Sequence, residues 1–159
     1  MVRIQLTTEI AAPIERCFNL SRSIDLHLKS VDWSSEQAIA GVTKGLIGSG
    51  EEVTWRGRHF GFMITHTSRI TAYEFPVYFQ DAMLRGAFRS YCHDHYFETQ
   101  GGHTLMRDEV KFAAPVRILG VFAEKMLLQG HMRTLLERRN AAIQQAAESH
   151  GWKKYLPES

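Results

Sequence analysis

Between Val77 and Phe112 the chain reads VYFQDAMLRGAFRSYCHDHYFETQGGHTLMRDEVKF: three runs of alternating residue type divided by two turn signals, Arg85-Gly86-Ala87 and Gln100-Gly101-Gly102. Side chains two apart on a strand point the same way, so such alternation belongs to half-buried antiparallel strands and not to a helix. A three-stranded meander follows. On its middle run Arg89, Tyr91, His93, His95 and Phe97 share one face.

Counting back from the turns places the neighbours. A short hairpin at Gln100 to Gly102 sets His95 opposite Asp108 or Met106, and Phe97 or His95 opposite Met106, so Met106, Asp108, Val110 and Phe112 share the face. The other turn sets Phe79, Asp81 and Met83 beside Arg89, Tyr91 and His93. Asp81, His93, His95 and Asp108 are therefore expected together on a mostly apolar surface. A one-residue slip would break the group.

The chain has 159 residues, 44% hydrophobic and 23% charged, with a net charge of +2. That is the profile of one globular domain, expected over residues 1–150 with a loosely held tail over 151–159. Lys and Arg are scattered among acids, so no nucleic-acid surface is expected. The two cysteines, Cys17 and Cys92, fit no zinc or redox spacing and read as free thiols in a reducing compartment. No leader pattern opens the chain and no apolar run approaches ~18 residues, so neither a signal peptide nor a membrane span is expected, and a cytoplasmic location is.

Upstream of the meander, Arg3 to Ala12 alternates as a strand with Ile4, Leu6, Thr8 and Ile10 on one face. Pro13 stops the ladder and suits the start of a helix running to about Leu20. Ser21 and Ser23 can each cap a second short helix that ends near Val31. Ser35 to Gly41 reads as a strand, followed by a loop with Gly41, Gly45, Gly48 and Gly50, either a turn needing positive φ or a rim over a binding site. Glu51 to Arg58 and Phe60 to Tyr73 form a hairpin turning near Gly57 to Gly61. On its long arm Phe60, Phe62, Ile64, His66 and Ile70 share a face, with Trp55 beside Phe62.

After Pro115 the period changes from 2 to 3.6. A helix is expected from Arg117 to about Ser149, with Leu119, Phe122, Met126, Met132, Leu135, Leu136, Ile143 and Ala147 as its apolar stripe. Gly120 and Gly130 are poor helix formers within it. The order is strand, two short helices, six strands, one long helix: an α+β chain. A strongly curved sheet covered by one straight helix leaves an internal cavity.

The segment Ile10-Ala11-Ala12-Pro13-Ile14-Glu15-Arg16-Cys17-Phe18, the glycine-rich loop and Pro115 before the terminal helix resemble the superfamily of START domains, polyketide cyclase/dehydrases and pollen allergens (SRPBCC). The likeness covers nearly the whole chain. Trp55 to Gly61, Phe79-Gln80-Asp81, Gly86-Ala87-Phe88, His93 to Phe97, Gly102 to Asp108 and Leu136 to Asn140 look like a bacterial subgroup labelled cell-division inhibitor or cyclase/dehydrase-like. The resemblance implies a helix-grip fold: a seven-stranded antiparallel sheet wrapped on the terminal helix, with a hydrophobic pocket between them. Across the superfamily that pocket serves lipid carriers, hormone receptors and cyclases.

Three chemistries compete at the meander. Histidines at i and i+2 on a strand could hold a divalent metal with Asp81 or Asp108, but a two-residue HxH arises easily by chance, so no metal and no cofactor is expected. A His oriented by Asp81 or Asp108 could act as an acid or base on a polyketide-like substrate, as a cyclase, dehydratase or isomerase does. Favoured over both is a buried polar network in which His and Asp satisfy one another and orient a ligand's polar end.

The expected function is binding of a small hydrophobic molecule. The expected lining is Trp55, Phe62, Ile64, His66, Phe79, Asp81, Tyr91, His93, His95, Asp108 and Val110 from the sheet, with Phe122 and Met126 as the opposite wall. Arg138-Arg139 and Lys153-Lys154 read as solvated charge. Oligomeric state, including a homo-oligomer, is left open.

Overall fold

The computed structural model describes residues 1–114 and 122–157, with backbone alone at 122–125. Pro115, Leu119, Gly120 and the Arg117 start of the terminal helix lie outside the described residues, as does the Phe122 side chain.

Alternation sets the strands. Strand β1 (Val2–Ile10) buries Val2, Ile4 and Ile10 and exposes Arg3, Gln5, Thr7 and Glu9. Helix α1 (Ile14–Ser21) starts directly after Pro13. Helix α2 (Ile24–Ser30) is capped by Ser23, whose Oγ accepts from Leu26 N at 3.2 Å. Ser21 caps nothing; its hydroxyl donates to Cys17 O at 2.8 Å. A 3-10 turn at Asp32–Ser34 leads to β2 (Gln37–Gly41), and β3 (Glu52–His59), β4 (Phe62–Glu74), β5 (Tyr78–Arg85), β6 (Ser90–Gln100) and β7 (His103–Ala113) follow. Helix α3 (Phe122–Ala147) has 26 residues, about 39 Å at 1.5 Å per residue.

The strands form one seven-stranded antiparallel sheet in the order β1-β7-β6-β5-β4-β3-β2. Helices α1, α2 and α3 pack together, and α3 lies against β1. One apolar cluster centres on Phe18 of α1, whose ring meets Tyr73, Phe75, Phe79 and Phe97 at 5.2 to 5.3 Å. A second joins Val2, Ile4, Val110 and Phe112 to Leu136 of α3.

Three local expectations are corrected. The β3–β4 turn is the pair Phe60-Gly61, with φ of 51° and 79°, so His59 faces Phe62 and Trp55 faces His66 instead of Phe62. Gly57 lies in β3, where a Cβ would come 3.2 Å from Glu36 Cβ; that glycine serves close packing, not the turn. The β5–β6 connection is longer than the expected Arg85 to Ala87 turn. Asp81 therefore pairs with His93, and Phe79 with His95, a two-residue shift that keeps the same face inward.

The C-terminal segment is held rather than loose. Residues His150–Lys154 form a 3-10 turn, and Trp152, Tyr155 and Leu156 pack against the core. Partial burial of three large apolar side chains offsets the ordering of so few residues.

Candidate functional site

The concave face of the sheet and α3 enclose a cavity of about 720 Å³. Its sheet wall includes Trp55, Phe62, Ile64, His66, Phe79, Tyr91 and Val110, and its helix wall comes from Leu127, Leu128, Met132, Leu135 and Leu136. Asp81, His93 and His95 form a polar patch on this wall. Two expected lining residues fall elsewhere. Asp108 is fully buried behind the imidazoles, and Met126 stays outside the cavity lining, one helical step before Leu127, which joins it.

The polar patch is built by strand period and register. His93 and His95 sit two apart on β6, Asp81 faces His93 from β5, and Asp108 faces His95 from β7. His93 Nε2 donates to Asp108 Oδ1 at 2.8 Å, and His95 Nε2 donates to Asp81 Oδ2 at 2.9 Å. The two imidazole centroids are 3.6 Å apart, and Phe79 stacks on His95 at 4.0 Å.

Helix α3 completes the network. Arg139 Nη1 lies 3.4 Å from Asp108 Oδ1, and Arg139 Nη2 donates to Ser21 O at 3.0 Å and to His95 Nδ1 at 3.3 Å. Asn140 Nδ2 donates to the other Asp108 oxygen at 2.7 Å. No buried side-chain nitrogen or oxygen of the described residues lacks a partner.

Electrostatics follow from this packing. Burial works against the Asp81 carboxylate, but the His95 hydrogen bond and the nearby positive groups overrule it and hold its pKa at about 2. Burial likewise opposes ionisation of Asp108, yet the hydrogen bond from His93, the close His95 ring and the Arg139 charge hold it well below the carboxylate range. His93 goes the other way: burial, then the His95 ring, lower it to about 4, so it is neutral at neutral pH. The Cys17 and Cys92 thiols are free and are raised by burial.

A second polar cluster lines the same cavity and has no counterpart in the expectations above. Glu36, just after the 3-10 turn, accepts from His27 Nε2 of α2 at 2.7 Å and from His59 Nε2 of β3 at 3.3 Å. His59 Nδ1 lies 3.2 Å from His131 Nε2 of α3. Burial would raise the Glu36 carboxyl, but the two histidines pull it down to about 2. Burial, then His59, lowers His131. The ring of His27 rests on Trp55 at 4.4 Å. His66, T-shaped against Tyr91 at 5.4 Å, is lowered by burial.

Arg139 is another residue the sequence reading placed wrongly, as solvated charge. It is 9% exposed, and its spacing from Met132, Leu136 and Ile143 puts it on the buried stripe of α3. Arg138, one residue away, lies over the Trp33 ring at 5.0 Å.

No protein-family model matches the chain, and no curated protein matches its sequence. Solved structures do match its shape. Protein TTHA0849 of Thermus thermophilus has a TM-score of 0.71 at 16% identity, covering 93% of this chain and 100% of that one. A START superfamily protein of Mycobacterium smegmatis gives 0.64 at 12%, covering 90% and 97%. The chain has the START-like helix-grip fold. Major latex-like protein 151 of Panax ginseng shares it, with a TM-score of 0.58 at 12% identity over 88% and 95% of the two chains. In this helix-grip chain the expected seven-stranded sheet, the long terminal helix and the two short helices before β2 are all in place. No described helix is long and apolar enough to cross a membrane.

Proposed function

We propose that the chain binds a small, mostly apolar molecule non-covalently in the cavity between sheet and α3, with its polar end at Asp81, His93 and His95. The observation that carries this reading is the cavity itself. A close-packed interior holds few voids larger than a water molecule, whereas about 720 Å³ stands open here. That volume lies in the range of small-molecule pockets, and mainly apolar walls with a few convergent polar groups are their usual lining. The resemblance to START domains and cyclases supports a pocket without selecting a ligand.

The test uses an apolar fluorophore, 8-anilinonaphthalene-1-sulfonate, displaced by decanoate or decanol. Ile64 lines the cavity from β4, and Ile64→Trp puts an indole into the space. The wild type is expected to bind one equivalent and the variant at least about tenfold more weakly at equal thermal stability. Equal binding by both would place the fluorophore on the surface and remove the reading.

One observation favours a second reading, acid-base catalysis. His93 lines the cavity with its Nε2 held by Asp108 at 2.8 Å, and an imidazole so oriented can take a proton at its other nitrogen from the carbon beside a ketone. Deuterium exchange into a cavity-bound ketone, followed by NMR, should then fall by about 10² to 10⁴ in His93→Gln. Exchange no faster than in buffer removes this reading and leaves ligand binding intact.

A further inference from the structure

Asp81, His93 and His95 are arranged more specifically than a ligand's polar end requires. His93 Nδ1 and His95 Nε2 both face Asp81 Oδ2, at 3.8 and 2.9 Å. One donor atom from each of the three residues lies within 4.8 Å of the other two. Metal–ligand bonds of about 2.0 to 2.2 Å separate neighbouring donors by roughly 3 to 4 Å, so small side-chain adjustments suffice to seat an ion.

The outer nitrogens of both rings converge on one atom. His93 Nε2 lies 2.8 Å and His95 Nδ1 3.2 Å from Asp108 Oδ1. Asp108 is itself fully buried and fixed by Asn140 Nδ2 at 2.7 Å. A buried carboxylate behind the far nitrogen of each imidazole is the arrangement found behind metal-ligating histidines, where it holds the proton on that side and leaves the inner nitrogen free to ligate. His93 already has this tautomer. His95 reaches it by moving its proton from Nε2 to Nδ1, where Asp108 Oδ1 at 3.2 Å accepts it and the hydrogen bond from Arg139 Nη2 to that nitrogen is given up, Nη2 keeping Ser21 O. The inner side is otherwise poorly served. His93 Nδ1, the nitrogen on the cavity side, makes no hydrogen bond to a described residue, and its nearest carboxylate oxygen, Asp81 Oδ2, is an acceptor facing an acceptor.

We propose that Asp81, His93 and His95 form a two-histidine, one-carboxylate site for a divalent first-row transition metal, with open positions facing the cavity that take the anionic oxygen end of the bound molecule. Imidazole donors select such ions over magnesium or calcium, and this donor set on one side of an ion leaves the other side free. Metal-ligating imidazoles are neutral, so Asp81 and Asp108 outweigh Arg139 by one negative charge. A divalent ion turns that into one positive charge, and an uncompensated charge beside an apolar wall is costly. A single negative charge on the ligand cancels it. The ligand class is therefore an apolar body with a carboxylate or enolate head. This ligand half rests on the binding reading above; the metal half does not.

The test titrates cobalt(II) into chelator-treated full-length protein, following the visible ligand-field bands and the bound metal by equilibrium dialysis. One equivalent is expected, with intensified bands of low coordination number. Asp81→Ala should weaken binding at least about 100-fold. His93→Gln should do the same, and the partly exposed Asp81 keeps the test valid if the His93 variant fails to fold. His103→Ala, on the outer surface beside Glu9, should change nothing.

Absent stoichiometric binding, binding unchanged in Asp81→Ala, or binding lost in His59→Gln instead would overturn the site. Zinc loading should tighten decanoate but not decanol in the wild type, and neither in Asp81→Ala. If cobalt binds but zinc leaves the two probes alike, the anionic-head assignment is wrong and the metal site stands. If neither probe binds under any condition, the cavity reading fails while the cobalt spectrum still decides the site.

Discussion

Two polar clusters line one cavity, and they are built in opposite ways. The Asp81, His93, His95 and Asp108 cluster comes from three adjacent strands of a meander, so its members are held by backbone ladders and back one another deep in the sheet. The Glu36, His27, His59 and His131 cluster comes from a loop, α2, β3 and α3, and only side chains join it. The first is rigid in the way a site for chemistry or coordination must be. The second ties α2 and α3 to the sheet across the cavity, and its geometry holds only while those elements stay docked.

The largest effect expected from breaking this contrast is at Asp108. Asp108→Ala leaves His93 and Asn140 without their carboxylate and Arg139 buried without its counter-charge, and should cost about 3 to 5 kcal/mol in urea unfolding. A loss below about 1 kcal/mol would show that the strand cluster does not anchor the core. Glu36→Gln removes the charge from two hydrogen bonds in the looser cluster, and about 2 kcal/mol is expected there.

Acid unfolding sharpens the same comparison, because His93 of the strand cluster and Glu36 of the other titrate in different windows. In metal-free protein, His93 has a folded pKa of about 4 against the usual 6.5. The unfolded chain therefore takes up a proton that the folded chain refuses, and stability falls as pH drops from 6.5 to about 4. Glu36 has a folded pKa of about 2 against 4.5, so its contribution is complete above 4.5 and is lost as pH falls toward 2. Asp81, about 2 against 3.8, adds to that lower window. His93→Gln should flatten the upper window only, and Glu36→Gln should shrink the lower one only. Interchanged effects would mean the two environments are misassigned.

The smallest expected change in stability is for Ile64→Trp, within about 0.5 kcal/mol, since the new ring enters open space rather than packed core. A loss above about 2 kcal/mol would mean that the cavity is narrower in solution than its walls indicate.

What the sequence revealed follows the same division. The strand cluster was legible because period-two alternation carries face identity even where register is uncertain: the two-residue shift between β5 and β6 moved Asp81 from Tyr91 to His93 without turning it outward. The helix-grip order of elements was legible for the same reason, from period and turn residues. Glu36, His27, His59 and His131 were not legible, because their meeting depends on where two helices dock. Arg139 had a usable signal, its place on the α3 stripe with Met132, Leu136 and Ile143, but a paired Arg138-Arg139 reads first as surface charge. Met126 shows the converse, an apolar residue that fits a loose stripe yet points to solvent.

The most direct test of the central claim is methyl-labelled NMR of the protein titrated with decanoate. The account predicts chemical-shift changes and intermolecular nuclear Overhauser effects at Ile64, Val110, Leu128 and Met132, the methyl-bearing walls of the cavity. Changes confined to the exposed methyls of Met63 and Met126, or none at all, would contradict it.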